Sequence, residues 1–167
     1  MTGYANTLKE WTGKTTASVI YDSNVCPFTD KCLFQMVKGK PNVAIIATTK
    51  DGDVFGGFYN VAVTMQEKNF FDQDMFIFSF ESHGRCKTPQ RFVAKEDMMN
   101  FANVWFWKND EYGRFVELNA LGGFSLGNEK SKSCCSCLSR CFEGIEDTTL
   151  TGKKYFTCCR LVAIQLE

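Results

Sequence analysis

The nine cysteines of this 167-residue chain are its side chains best suited to chemistry, and six of them crowd between Cys134 and Cys159. Cys134, Cys135, Cys137 and Cys141 read C-C-x-C-x3-C, with the neighbours Cys158 and Cys159 further on. Structural zinc draws thiolate pairs at C-x2-4-C spacing from two knuckles. Cys137 with Cys141, joined by Cys158 or Cys159, is a loose version of that set, since adjacent residues of a strand point to opposite faces. A redox-sensitive disulfide is a second use of the cluster. Ordinary reduced thiols, packing as small hydrophobes, are the third and the default for a cytosolic chain. The polarity of "EKSKSCCSCLSRC" places the first four cysteines in a surface loop. There Lys130, Lys132 and Arg140 would favour thiolates if they lie close.

Other reactive types are sparse. His83 is the one histidine, with Cys86 three residues on in a polar loop. A cysteine nucleophile needs a base oriented beside it, and proximity in sequence does not supply that. Glu81, Glu96, Asp97, Asp110, Glu111 and Glu117 are scattered, so the sequence pairs no two for acid–base work. Gly56-Gly57 is followed by neither a helix start nor a Lys-Ser/Thr pair, unlike a phosphate-binding loop. No catalytic residue, cofactor or metal is therefore expected. Nineteen basic residues balance nineteen acidic ones without a concentrated basic run, which argues against a nucleic-acid or anionic-membrane partner. No apolar run approaches the roughly 18 residues of a membrane span. Met1-Thr2-Gly3-Tyr4 lacks a signal-peptide pattern, and the expected location is cytoplasmic.

Positioning these groups falls to a chain rich in apolar residues, 44% hydrophobic with 16 phenylalanines. Tyr4, Leu8 and Trp11 share one helix face, which predicts a helix over 4–11 stopped by Gly13. A second helix is expected over 27–38, with Phe28, Cys32, Leu33, Met36 and Val37 as its buried stripe and Gly39 as its cap. Strands are expected at 18–21, 43–48, 54–64, 75–80, 101–107, 113–118, 122–126 and 155–166. Asp51-Gly52 is a hairpin turn, because it tolerates positive φ. In the strand after it, Phe55 and Phe58 flank Gly56-Gly57, a pair that marks a bulge or a close approach to backbone. Phe76, Phe78 and Phe80 should share one face. Trp105 and Trp107 should share another, with Phe106 opposite, and core packing is favoured over a binding platform for them. Helices first and strands afterwards do not make an alternating βαβ pattern. The expected fold is mainly β (α+β): an antiparallel β-sandwich flanked by two N-terminal helices, one domain over 1–167.

The order of these features resembles the TLDc domain of the oxidation-resistance proteins. The resemblance rests on "LKEWTG" leading into "VIYDSN", then "FTDKCLFQMVKGKPNVAIIATTKDGDVFGGF", then "FIFSF", and finally "FTCCRLVAIQL". It implies a β-sandwich with flanking helices and a non-enzymatic interaction module linked to oxidative-stress protection. The implied partner is a protein, the peripheral sector of the vacuolar proton-pumping ATPase. The stretch "FWKNDEYGRFVELNALGGFSLGNE" follows the family's glycine-rich segment only loosely, and the cysteine-rich "SKSCCSCLSRCFEG" is unusual for it.

Overall fold

A computed structural model describes residues 2–167. Its elements run α1 (Thr2–Thr12), β1 (Ala17–Asp22), α2 (Asp30–Val37), β2 (Val43–Thr49), β3 (Val54–Tyr59), β4 (Phe70–Phe71), β5 (Phe76–Glu81) and β6 (Gln90–Val93). After a 3-10 turn at Met99–Phe101 come β7 (Asn103–Phe106), β8 (Arg114–Asn119), β9 (Gly123–Gly127), β10 (Ser133–Ser136), α3 (Leu138–Cys141), β11 (Tyr155–Phe156) and β12 (Cys158–Leu166). The strands form two antiparallel sheets of six, ordered β1-β12-β2-β3-β5-β6 and β11-β10-β9-β8-β7-β4. This is the β-sandwich that the sequence leads one to expect.

Alternation explains the layers. On β3 and β5, Phe55 and Ile77 point inward to meet Val104, Phe106, Val116, Leu118 and Phe124 of the second sheet. Phe58, Phe76, Phe78 and Phe80 point the other way, so the three phenylalanines of β5 do share a face. That face is covered by α1, whose Leu8 is fully buried and whose Trp11 ring stacks on Phe80 at 5.7 Å. Arg91 adds a hydrogen bond from its guanidinium to the Trp11 carbonyl. Two-sided burial is why β2 reads as a nearly continuous apolar run.

The Asp51-Gly52 turn pairs β2 with β3 from Val43–Tyr59 to Thr48–Val54. Gly52 takes φ +93°, which an L side chain rarely adopts. The strand after the turn stops at Tyr59 rather than running to residue 64, because Asn60 turns away to hydrogen-bond Asp72 through its backbone and side-chain N–H groups.

Several expectations need correction. The second helix starts at Asp30, not Pro27: Thr29 caps it by accepting from the Cys32 N–H at 3.2 Å. Its buried residues are Leu33, Phe34 and Val37, while Met36 is exposed. The last expected strand is two. β11 pairs with β10 in the second sheet, and past Thr157 the chain enters the first sheet as β12 between β1 and β2. The cysteine-rich stretch is not a surface loop. Its first half is β10, paired with β9 and β11, and its second half is the short helix α3. No helix among the described residues is long and apolar enough to cross a membrane.

Candidate functional site

The glycine pair is occupied by packing on both sides. A Cβ on Gly56 would lie 1.9 Å from the Ile45 carbonyl oxygen and 2.8 Å from Phe78 Cζ. One on Gly57 would meet Leu118 Cδ2 at 2.6 Å, across the inter-sheet core. Phe55 is buried beside them with its ring edge-on to Phe124 and Phe156, each 5.3 Å away, while Phe58 stacks on Phe76 on the helix side. Asp51 is exposed and pairs with Lys153.

The polar loop after β5 is clamped down. Asp53, 2% exposed, receives Arg85 and donates its own N–H to Thr49 Oγ1 at 3.1 Å. Arg85 also donates to the Thr149 carbonyl at 2.9 Å. The His83 ring lies 2.8 Å from the Asp51 carbonyl and 3.6 Å from Asp53 Oδ1. Cys86 instead packs against the inter-sheet core, so the structure makes no nucleophile–base pair of these two.

The cysteines are dispersed by alternation. On β10, Cys135 points into the core, where burial pushes its thiol well above the ordinary range, and Cys134 points outward. Cys137 is exposed at φ +54°, and Cys141 is buried on α3 with its thiol also raised by burial. Cys158 is buried, its thiol pushed up to about 12 by burial, and Cys159 is exposed. No three cysteine, histidine or acidic side chains gather where a metal could be held among the described residues, so the Cys137–Cys141–Cys158/Cys159 set is not assembled.

What the structure does assemble is a polar row across the outer face of the second sheet. Register sets Trp105 opposite Glu117, Glu117 opposite Ser125, Ser125 opposite Cys134, and Cys134 opposite Tyr155. Ser125 Oγ and Cys134 Sγ are 3.3 Å apart. Asn119 donates to Glu117 Oε1 at 3.1 Å, and Asn103 donates to Asn119 Oδ1 at 3.1 Å. Burial raises the Glu117 carboxyl above the usual carboxylate range, and the Arg114 charge only partly offsets it. Glu117, Asn119, Gly122, Ser125, Cys134 and Ser136 line a cleft of about 160 Å³.

A bulge between Arg114 and Val116 leaves Phe115 and Val116 buried and Arg114 on the outer side. The Arg114 guanidinium sits 3.6 Å from the Trp107 ring centroid and grips Asp110 through two bonds of 2.9 Å. That grip holds the Asp110 carboxyl below its usual range. Trp105 and Trp107 share the outer side, 5.5 Å apart, and Phe106 is in the core, as alternation requires. Both indoles are half-buried, and the Trp105 N–H has no hydrogen-bond partner among the described residues. Exposed Tyr112 and Leu121 extend this surface.

No helix covers it. The buried residues of α2 and α3 belong to the inter-sheet cluster, and α1 packs on the first sheet. The TLDc domain model matches residues 5–161 of the chain. The chain belongs to the TLDc domain family. A search of curated protein sequences returned no match.

Within this TLDc chain, the residues that sequence reasoning passed over are Asn103, Asn119, Ser125 and the role of Glu117 beside them. Their signal was the alternation in "RFVELN" and "GFSLG", which puts Glu117 and Asn119 opposite inward Val116 and Leu118, and Ser125 between inward Phe124 and Leu126. Cys134 has the Ser125 hydroxyl as its hydrogen-bond neighbour, and Glu117 has the Asn119 amide, the Arg114 guanidinium and the Trp107 indole beside it.

Proposed function

We propose that this chain is an interaction module without chemistry of its own, which docks a protein partner on the outer face of its second sheet. The observation that carries the reading is that no helix among the described residues covers this face, which presents Trp105, Trp107, Tyr112 and Arg114 along one side and Leu121 at the far end of β8. Tryptophan, tyrosine and arginine are the residues that dominate binding energy at protein interfaces. Membership of the TLDc family, linked to oxidation resistance, supports the peripheral sector of the vacuolar proton-pumping ATPase as the partner and oxidative-stress protection as the setting.

The test is direct binding of the purified chain to the purified peripheral sector by biolayer interferometry. Tyr112→Ala and Leu121→Glu change exposed side chains and should leave the melting temperature in place. Trp105→Ala removes an anchor. Binding that weakens in all three, with melting curves kept for the first two, supports the face. Unchanged binding moves the interface elsewhere, and no binding of the wild type at low salt removes this partner.

A further inference from the structure

Lysines from three separate segments meet at one end of the sandwich. Lys50 comes from the β2–β3 turn, Lys130 and Lys132 from the β9–β10 connection, and Lys153 and Lys154 from the approach to β11; all five are exposed. Lys50, Lys130, Lys132 and Lys153 line a cleft of about 440 Å³ together with Tyr155. Lys132 and Lys154 hold their ammonium groups 4.5 and 5.3 Å from the centroid of that one tyrosine ring. The acidic residue lining the cleft is Asp51, which takes Lys153, and Glu129 is exposed beside Lys130. Among the described residues, Lys50, Lys130, Lys132 and Lys154 form no ion pair. A chain with formal net charge +0 thus concentrates five lysines against two carboxylates. No linear run betrays this, because folding does the gathering.

We propose that this cleft binds a compact polyvalent anion, a ligand carrying two or more phosphate groups. Like charges held together repel, and an anion seated among them reverses that cost. A concave surface of one sign focuses the field on its interior. Lysine binds phosphate as a mobile point charge without demanding fixed geometry, which suits several ammonium groups closing on one ligand. Each exposed ammonium contributes little alone, so a single phosphate is held weakly and a cluster of phosphates well. Ser131 Oγ is already committed to the Gly113 carbonyl at 2.7 Å, which leaves the ammonium groups to make the recognition. The phosphates can belong to a soluble ester or to a lipid headgroup.

The probe is inorganic tripolyphosphate, titrated into the full chain by calorimetry at low salt. A flotation assay uses phosphatidylcholine vesicles with about 5 mol% phosphatidylinositol bisphosphate. The cleft variant is Lys132→Gln with Lys153→Gln. The control is Lys9→Gln with Lys14→Gln, which lie in a separate surface hollow beside α1. We expect saturable binding that rising salt weakens, about tenfold weaker in the cleft variant and unchanged in the control. Accompanying flotation assigns the headgroup, and tripolyphosphate binding without flotation assigns a soluble ligand. The proposal is overturned by no binding at about 1 mM probe, by equal affinity in wild type and cleft variant, or by tighter binding of a poly-glutamate peptide. Flotation without tripolyphosphate binding overturns it as well.

Discussion

Replacing Gly56 by alanine should damage the fold far more than the same change at Gly57, although the two are neighbours on one strand. Glycine to alanine in a strand normally gains up to about 1 kcal/mol, since alanine has less freedom to lose. At Gly56 the added methyl would sit 1.9 Å from the Ile45 carbonyl oxygen and 2.9 Å from the carbonyl carbon, where ordinary contact begins at 3.4 Å. Both atoms are backbone of β2, paired on its other side with β12, so neither can step aside alone. Opening the β2–β3 ladder adds roughly 1 kcal/mol per lost hydrogen bond to the 1–3 kcal/mol of overpacking. The total is about 3–5 kcal/mol, or a Tm lower by roughly 6–20 °C at this chain length.

At Gly57 the nearest atom is instead Leu118 Cδ2 at 2.6 Å, the end of a rotatable side chain, with Phe76 O at a tolerable 3.3 Å. Its alanine variant should cost about 1–2 kcal/mol, and valine more. Urea unfolding of Gly56→Ala, Gly57→Ala and Gly57→Val reads this order. A Gly57→Ala as damaging as Gly56→Ala, or a Gly56→Ala within about 0.5 kcal/mol of wild type, would refute the reasoning.

Three further outcomes follow from the same structure. Glu117→Gln should raise the Tm at pH 7 and leave it unchanged at pH 4. Burial raises the folded carboxyl, so wild-type stability is full below the unfolded pKa and falls as pH rises through the folded one. Asp22 has the opposite sign. Arg160 holds its carboxyl below the usual range, so Asp22→Asn should destabilise at pH 7 and do so less as pH drops below about 4; a pH-independent difference would exclude the pair as the cause. Peptide-resolved alkylation should label exposed Cys137 and Cys159 first and leave Cys135, Cys141 and Cys158 protected until unfolding. Protection of Cys137 that a chelator abolishes would restore the zinc reading.

Local chemistry was legible where one physical constraint dominated. The Asp51-Gly52 turn fixed the β2–β3 pairing, and the alternation of β5 put Phe76, Phe78 and Phe80 on one face, which the structure buries under α1. The strand β10 was hidden because "SCCS" carries small side chains of intermediate polarity, so an alternation of Ser133 and Cys135 inward gives no hydrophobic signal. The switch between sheets at Thr157 was hidden for the opposite reason. Both sides of it are apolar, and a continuous run does not say which sheet each half joins. Alternation marks Glu117, Asn119 and Ser125 as outward within their own strands, but their alignment into one row was beyond reach because its members come from five strands, and a bulge at Arg114 resets the register of one of them.

An outer sheet face that only meets water is well served by polar strand formers such as threonine, which need no burial. The second sheet of this chain does otherwise. It half-buries two tryptophans, leaves the Trp105 N–H without a partner among the described residues, and places Glu117 where burial disfavours its charge. Each is a cost to the folded chain alone, and costs of this kind collect where a surface answers to something besides stability. The TLDc chain therefore links two measurements on one residue. Glu117→Gln should stabilise the free protein at neutral pH while weakening its hold on a partner docked over the row. A variant that gains stability and binds as well as wild type would show that the buried carboxylate serves the fold's packing and not recognition.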